Sequence, residues 1–261
     1  MIIKVLKKKI KDNFPDFHIK LHNFKKTVLV KMFKYKYPGV KLFNNERSKF
    51  YSQEGQDYIV YNNFFKGKGA GIFCDIGANH PVNFNNTLYF EEKGWSGYAF
   101  EPLPQMKKYW NELRKAKLFS YALSDIEGEA ELSFIQNETG WEDMLSCLKE
   151  TRDSNCERRS VDIPVKLRKL SNVFNEENIT HVSYMSIDVE GHELNVINGI
   201  DFRKVNIDVL SIENNPPGCL INGDDRIRDI MTKNGFVFWG RVVALDDIYV
   251  NKVFLTKISL V

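Results

Sequence analysis

The chain has no GxGxxG run anywhere in its 261 residues, so it lacks the glycines that let a backbone cradle a dinucleotide's pyrophosphate. That absence counts against an NAD-dependent enzyme. Cysteine is scarce: Cys74, Cys147, Cys156 and Cys219 are scattered and form no CxxC pair. A zinc ribbon and a disulfide framework are thereby excluded, and reduced thiols in a cytosolic protein are expected. No segment approaches the run of about 18 apolar residues that a membrane span needs. The amino terminus shows no apolar stretch followed by a small-residue cleavage site, so no secretory signal is expected. Internal repeats and low-complexity tracts are absent, and no nucleic-acid recognition motif occurs.

What is present is enough for one large core, since 43% of the residues are hydrophobic. The net charge of +3 hides an asymmetry: residues 1–41 hold twelve lysines against Asp12 and Asp16, so the remainder is acidic. Leu21, Phe24, Val28 and Met32 fall at helical spacing in that basic segment, and Pro15 separates them from Ile3, Leu6 and Ile10. Residues 1–45 are expected to form a basic helical extension and residues 46–261 a single domain. The extension suits contact with the inner face of an anionic membrane, or packing on the main domain or a second subunit.

From residue 70 onward strand-like and helix-like segments alternate, as in a sheet built from crossover units. Strands are expected at "GIFCDIG" (71–77), "GYAFEP" (97–102), "KLFSYALSD" (117–125), "HVSYMSIDVEGHE" (181–193) and "IDVLSIENNPP" (207–217). Helices are expected at 84–93, 104–116 and 223–234. "GFVFWG" and "DIYVNKVFLTK" close the chain as an antiparallel hairpin, and "EAELSF" and "SVDIPVKL" read as extra edge strands. Seven core strands ending in a hairpin predict a doubly wound, Rossmann-like α/β sheet, whose ligands sit beyond the carboxyl ends of the strands.

Those ends carry the chemistry. The first strand delivers Asp75, Gly77, Ala78 and Asn79, where Gly77 allows a tight turn and close approach to a ligand. The second delivers Glu101, at the position where an acid commonly accepts ribose hydroxyls. The third delivers Ser124 and Asp125, either of which could meet an adenine edge. One glycine, a ribose acid and no phosphate cradle describe a nucleoside without phosphates, of which S-adenosylmethionine is the common cofactor.

With "SQEGQD" (52–57), "DIGANHP" (75–81), "GWSGYAFEP" (94–102), "ALSD" (122–125) and "SIDVEGHE" (186–193) in this order, the chain resembles the FkbM-type S-adenosylmethionine-dependent methyltransferases from about residue 50 to 256. The resemblance implies a class I methyltransferase fold and O-methylation, often of sugars. One departure is GANHP in place of the family's usual GANIG, which puts the hold on the cofactor's methionine end in question.

At the reacting end the fourth strand brings Asp188, Glu190, His192 and Glu193 within six residues. An extended 188–190 would put Asp188 and Glu190 on one face. His192 is the first candidate for the base that takes the acceptor's proton, because imidazole titrates near working pH. Asp188 with Glu213 and Asn214 of the fifth strand forms an oxygen-rich set suited to Mg²⁺. The competing reading has Asp188 and Glu190 binding sugar hydroxyls directly. "NNPP" (214–217) resembles the Asn-Pro-Pro-aromatic motif of amino-group methyltransferases. It follows the wrong strand, however, and Gly218 holds the aromatic position, so Pro216 and Pro217 read as a rigid exit. His80, His18, His22 and His181 read as structural. The insert 136–160, with Trp141, Met144, Arg152, Arg158 and Arg159, reads as a lid over an acidic or phosphorylated sugar, or as a solvated loop.

The expected activity is O-methylation of a sugar hydroxyl in a surface-glycan precursor, lipid-linked if the basic segment meets a membrane. The alternatives are a small natural product as acceptor, or an inactive cofactor-binding partner subunit.

Overall fold

Apolar residues on alternating sides of short segments make strands that must be covered on both faces. In the computed structural model, which describes residues 28, 30–43, 50–136, 142–152, 158–215, 223–242 and 245–259, this pattern builds a twisted central sheet. Twelve strands form among the described residues: β1 (Lys41–Phe43), β2 (Ile72–Ile76), β3 (Ser96–Phe100), β4 (Lys117–Phe119), β5 (Ala122–Ser124), β6 (Gly128–Ile135), β7 (Cys147–Leu148), β8 (Ser160–Lys169), β9 (His181–Ile187), β10 (Asn206–Glu213), β11 (Phe236–Val242) and β12 (Asp246–Asn251).

The central sheet runs β1-β11-β12-β10-β9-β2-β3-β4. Neighbours pair in parallel except β12, which is antiparallel to both β10 and β11. The strand order reverses beside β2, so β2 and β9 flank the switch point where ligands collect. Period-two alternation sends Phe73, Tyr184 and Val209 to one apolar layer and Cys74, Met185 and Leu210 to the other. The α/β sheet and its carboxyl-terminal hairpin are those expected from the sequence.

Several boundaries differ, each for a local reason. The helix expected at 84–93 is Leu88–Glu92, because Asn85 Oδ1 accepts from the Thr87 and Leu88 N–H groups (3.0 and 2.8 Å) and starts the helix late. Residues 117–125 divide between β4, which pairs with β3, and β5, which pairs with β8. "EAELSF" and "SVDIPVKL" do not edge the central sheet. As β6 and β8 they pair with each other from Gly128↔Leu167 to Ile135↔Ser160, and form a second sheet, β5-β8-β6-β7. "KVFLTK" is helical: Asn251 Oδ1 accepts from Val253 N–H (2.9 Å) and stops β12 at the start of helix Lys252–Ser259.

Residues 30–36 are helical, and Phe33 and Tyr37 face the domain. Phe33 is fully buried and meets Phe238 edge-on at 6.1 Å, while β1 lies parallel to β11. Val28 and Met32, expected on the packing face, are solvent-exposed, because Phe33 takes that role. Leu21, Phe24, the earlier apolar set, His18, His22, Trp141, Cys156, Pro216, Pro217, Gly218 and Cys219 lie outside the described residues. Among the described residues no helix is long and apolar enough to cross a membrane.

Because Phe33 fills the space beside Phe238, Phe33→Ala should cost about 3–5 kcal/mol in urea unfolding. An unchanged midpoint would mean that residues 30–43 only rest on the domain.

Candidate active site

The carboxyl ends of β2, β3, β9 and β10 open into three adjoining cavities. The first has walls from Phe100, Leu103, Leu123, Leu132 and Leu148, with Glu101 and His192 among them. The second is acidic: Asp75, Asp188, Glu190, Glu213 and Asp246 line it, with Gln53, Gln56, Asn85 and Asn86. The third is bordered by Ile135, Leu194, Ile227, Arg152 and Arg226, and shares Glu190 and Glu213 with the second. Among the described residues no lysine or arginine lines either of the first two.

Between the first two cavities the backbone comes very close. Gly77 has φ +75°, and a Cβ built there would stand 1.7 Å from the Asp188 carbonyl oxygen, so only glycine fits. The Gly77 and Ala78 N–H groups donate to the Phe100 carbonyl (3.0 and 3.2 Å). Asn79 donates its N–H to Glu101 Oε2 at 2.7 Å, and Leu103 donates to Oε1 at 2.7 Å. Those bonds fix the Glu101 carboxylate on the cavity wall, while burial pushes its pKa up to about 7. Asn79 also accepts from Trp110 Nε1 (2.7 Å), which ties the turn to helix Met106–Leu113. His80 Nδ1 accepts from the Val82 and Asn83 N–H groups and shapes the loop after GAN.

Asp75 is buried in a polar network, accepting from Thr87 Oγ1 (2.7 Å) and Asn85 Nδ2 (3.1 Å), with Arg114 hydrogen-bonded to Thr87 and Asn85 behind them. Burial raises its pKa, and the two hydrogen bonds and Arg114 offset part of that rise. Ser124 and Asp125 do not line the cavities. Ser124 Oγ meets His192 Nε2 at 3.0 Å, and Asp125 accepts from Asn195 Nδ2 at 3.3 Å. Their place is behind His192, whereas Tyr121, Ala122 and Leu123 reach the first cavity's wall.

The loop after β9 is a tight device. Glu193 Oε1 accepts from the Val189 and Gly191 N–H groups, both at 3.0 Å. That staple curls the chain so that Glu190 sits at φ +53° and Gly191 at φ +101°. Residues 188–190 are therefore not extended, yet Asp188 and Glu190 still meet. His192 lines the first cavity together with Asp188 and Glu190, and does not line the second or third, where Glu213 sits. Burial lowers its pKa.

Asp188, Glu190 and Glu213 each offer an oxygen within 4.8 Å of the others. Burial first, then the Glu190 charge on Asp188 and the Asp188 charge on Glu213, lifts both well above the carboxylate range. Burial and then the Glu193 charge raise Glu190 to about 7. Asn214 does not join this group. Its amide donates to Asp247 Oδ2 (2.8 Å) and to the Asp224 carbonyl (3.1 Å), and its oxygen accepts from Asp224 N–H. Asp247 is in turn clamped by Arg241 and Arg228, and Arg228 donates to Tyr37 Oη (2.8 Å).

Sequence reasoning missed Asn85, Asn86 and Asp246. Nothing in "FNN" or "LDD" marks a strand exit, and only the fold brings them to the second cavity. Gln53 and Gln56, within "SQEGQD", line it as well. Of the insert, Met144 lines the first and second cavities and Arg152 the third, whereas Arg158 and Arg159 do not line them.

A mostly parallel sheet with a buried carboxylate, Glu101, and an acidic cleft at its strand ends is the setting of this site. Residues 75–238 match the family model described as the methyltransferase FkbM domain, more than half of the chain, and the chain belongs to that family. It is an S-adenosylmethionine-dependent methyltransferase. No curated protein matches it. The crystal structure of precorrin-6y C5,15-methyltransferase from Geobacter metallireducens GS-15 is similar over 78% of this chain and 92% of that chain, with a TM-score of 0.39 and 9% identity.

The residues present fit that cofactor. Glu101 is a hydrogen-bond acceptor on the first cavity, Gly77 lines both the first and second cavities without a side chain, and the acids of the second complement positive charge.

Glu213 has a raised folded pKa, so its ionised form is the one the fold disfavours. Its cost is absent below the unfolded pKa, grows as pH rises from there, and is complete once pH passes the folded value. In metal-free buffer Glu213→Gln should therefore raise Tm clearly at pH 8 and much less at pH 5. Equal Tm values at both pH values would contradict the crowding of these acids.

Proposed function

We propose that the chain transfers a methyl group to a sugar hydroxyl, with the acceptor in the third cavity and Glu190 taking the proton. The observation that carries this reading is that Glu190 lines all three cavities. A group at that junction can face a donor on one side and an acceptor on the other.

S-adenosylmethionine, when bound, would supply an electrophilic methyl group on a sulfonium that serves as the leaving group. The protein's share is positioning and proton removal. Glu101, fixed by the Asn79 and Leu103 N–H groups, is placed to accept ribose hydroxyls, and Leu123, Leu132 and Leu148 give an apolar berth to the base. Glu190 is held by the Glu193 staple and cannot drift from the junction. A strained φ at a non-glycine residue is a common mark of such positions.

The third cavity supports a sugar acceptor through its mixed walls. Glu190, Glu213 and Asn215 can accept from or donate to hydroxyls, and Ile135, Leu194 and Ile227 suit the C–H faces of a pyranose ring. His192 is not the base in this reading, because its ring is engaged by Ser124 on the first cavity. The lysines of residues 1–41 suit an anionic membrane surface, and with it a lipid-linked form of the acceptor.

Glu190→Gln should lower kcat by about 10²–10⁴-fold in a sugar methylation assay, the range for loss of a general base. Its dissociation constant for S-adenosylhomocysteine should stay within a few-fold of wild type. A kcat within threefold of wild type would remove Glu190 from the proton-transfer role.

A further inference from the structure

We propose that Asp188, Glu190 and Glu213, with the side-chain oxygen of Asn86, hold one hard divalent cation, Mg²⁺, in the second cavity. The three carboxylates come from two adjacent strand ends, and their oxygens lie within 4.8 Å of one another. Opposite ligands of a hard divalent ion stand about 4–5 Å apart, so the spacing suits one without rearranging the backbone.

The other two acids on this cavity are already engaged. Asp75 accepts from Thr87 and Asn85, and Asp246 is offset by a hydrogen bond from Gln56 and by the Arg241 charge. The charges acting most strongly on Asp188 and Glu213, by contrast, are those of other acids. Among the described residues no lysine or arginine lines the cavity.

Asn86 is the independent sign of a ligand. The residue is 9% exposed, its Nδ2 donates to Ser186 Oγ at 2.9 Å, and it lines the same cavity. Its Oδ1 is buried with no hydrogen-bond partner among the described residues. A native fold rarely leaves such an oxygen bare, and Asn86 shares this cavity with the three carboxylates, where an amide oxygen is a further hard ligand. This set differs from the trio expected from the sequence, since Asn214 is spent on Asp224 and Asp247.

What the ion would do rests on the proposed function, with the reacting hydroxyl reaching from the third cavity to Glu190 and Glu213, which the two cavities share: it would polarise the acceptor oxygen before Glu190 takes the proton. Its presence can be tested without that reading. The full chain, with neither cofactor nor sugar, is titrated with Mn²⁺ and free ion is read by electron paramagnetic resonance. One Mn²⁺ per chain should bind, displaced by Mg²⁺. Affinity should fall at least tenfold in Glu213→Gln and severalfold in Asn86→Ala, and stay unchanged in the surface variant Glu131→Gln. Binding of S-adenosylhomocysteine by each variant shows that it is folded. No bound Mn²⁺ at millimolar concentration, or undiminished binding in Glu213→Gln, would overturn the site. Sugar methylation in EDTA at the full rate would overturn the ion and leave the proposed activity standing. Stoichiometric Mn²⁺ with no sugar methylated would do the reverse.

Discussion

Carboxylates gathered where, among the described residues, no lysine or arginine lines the cavity are the constraint on which the rest of this structure turns. Five acids line the second cavity, and the three that converge repel one another across half-buried space. Such a cluster is costly in the empty protein and becomes useful when positive charge arrives. It favours a cofactor carrying a sulfonium and an ammonium group over one carrying phosphates. The acidic cleft and the missing glycine-rich cradle thus say the same thing in two ways, one by what is built and one by what is left out.

The surrounding fold holds that cluster in place. Gly77 passes so close to Asp188 that the β2 and β9 exits move as one unit. Glu193 fastens the loop that carries Glu190, and His192 ties the same loop to Ser124 on the second sheet. On the far side the Arg241–Asp247–Arg228 ion cluster seats Asn214, and through Arg228 and Tyr37 reaches residues 30–43. The basic segment is therefore connected to the site through hydrogen bonds as well as through the β1–β11 pairing.

Much of this was legible in the sequence, for physical reasons. The strands announced themselves by alternating burial, and their exits by the acid or glycine that followed, so Gly77, Glu101, Asp188 and Glu213 could be found by position. What could not be read was side-chain commitment. Asn214 follows Glu213 directly and offers a good oxygen ligand, but Asp224 and Asp247 claim it from 10 and 33 residues away. Ser124 and Asp125 stand at a strand exit, yet the chain leaves the central sheet before them, so they support His192 instead of facing the cavity. Asn86 lies in a loop and Asp246 at the start of β12, and both acquire meaning only when the sheet closes. The second sheet was missed because β6 and β8 satisfy each other, and no local pattern distinguishes such a pair from strands at the edge of a larger sheet.

The measurement that bears most directly on the account is calorimetric titration with S-adenosylhomocysteine and with NAD, on the wild type and on Glu101→Ala. A phosphate-free nucleoside in an acid-lined cleft predicts micromolar binding of S-adenosylhomocysteine, its loss in Glu101→Ala, and no binding of NAD. Binding of NAD with none of S-adenosylhomocysteine would contradict it.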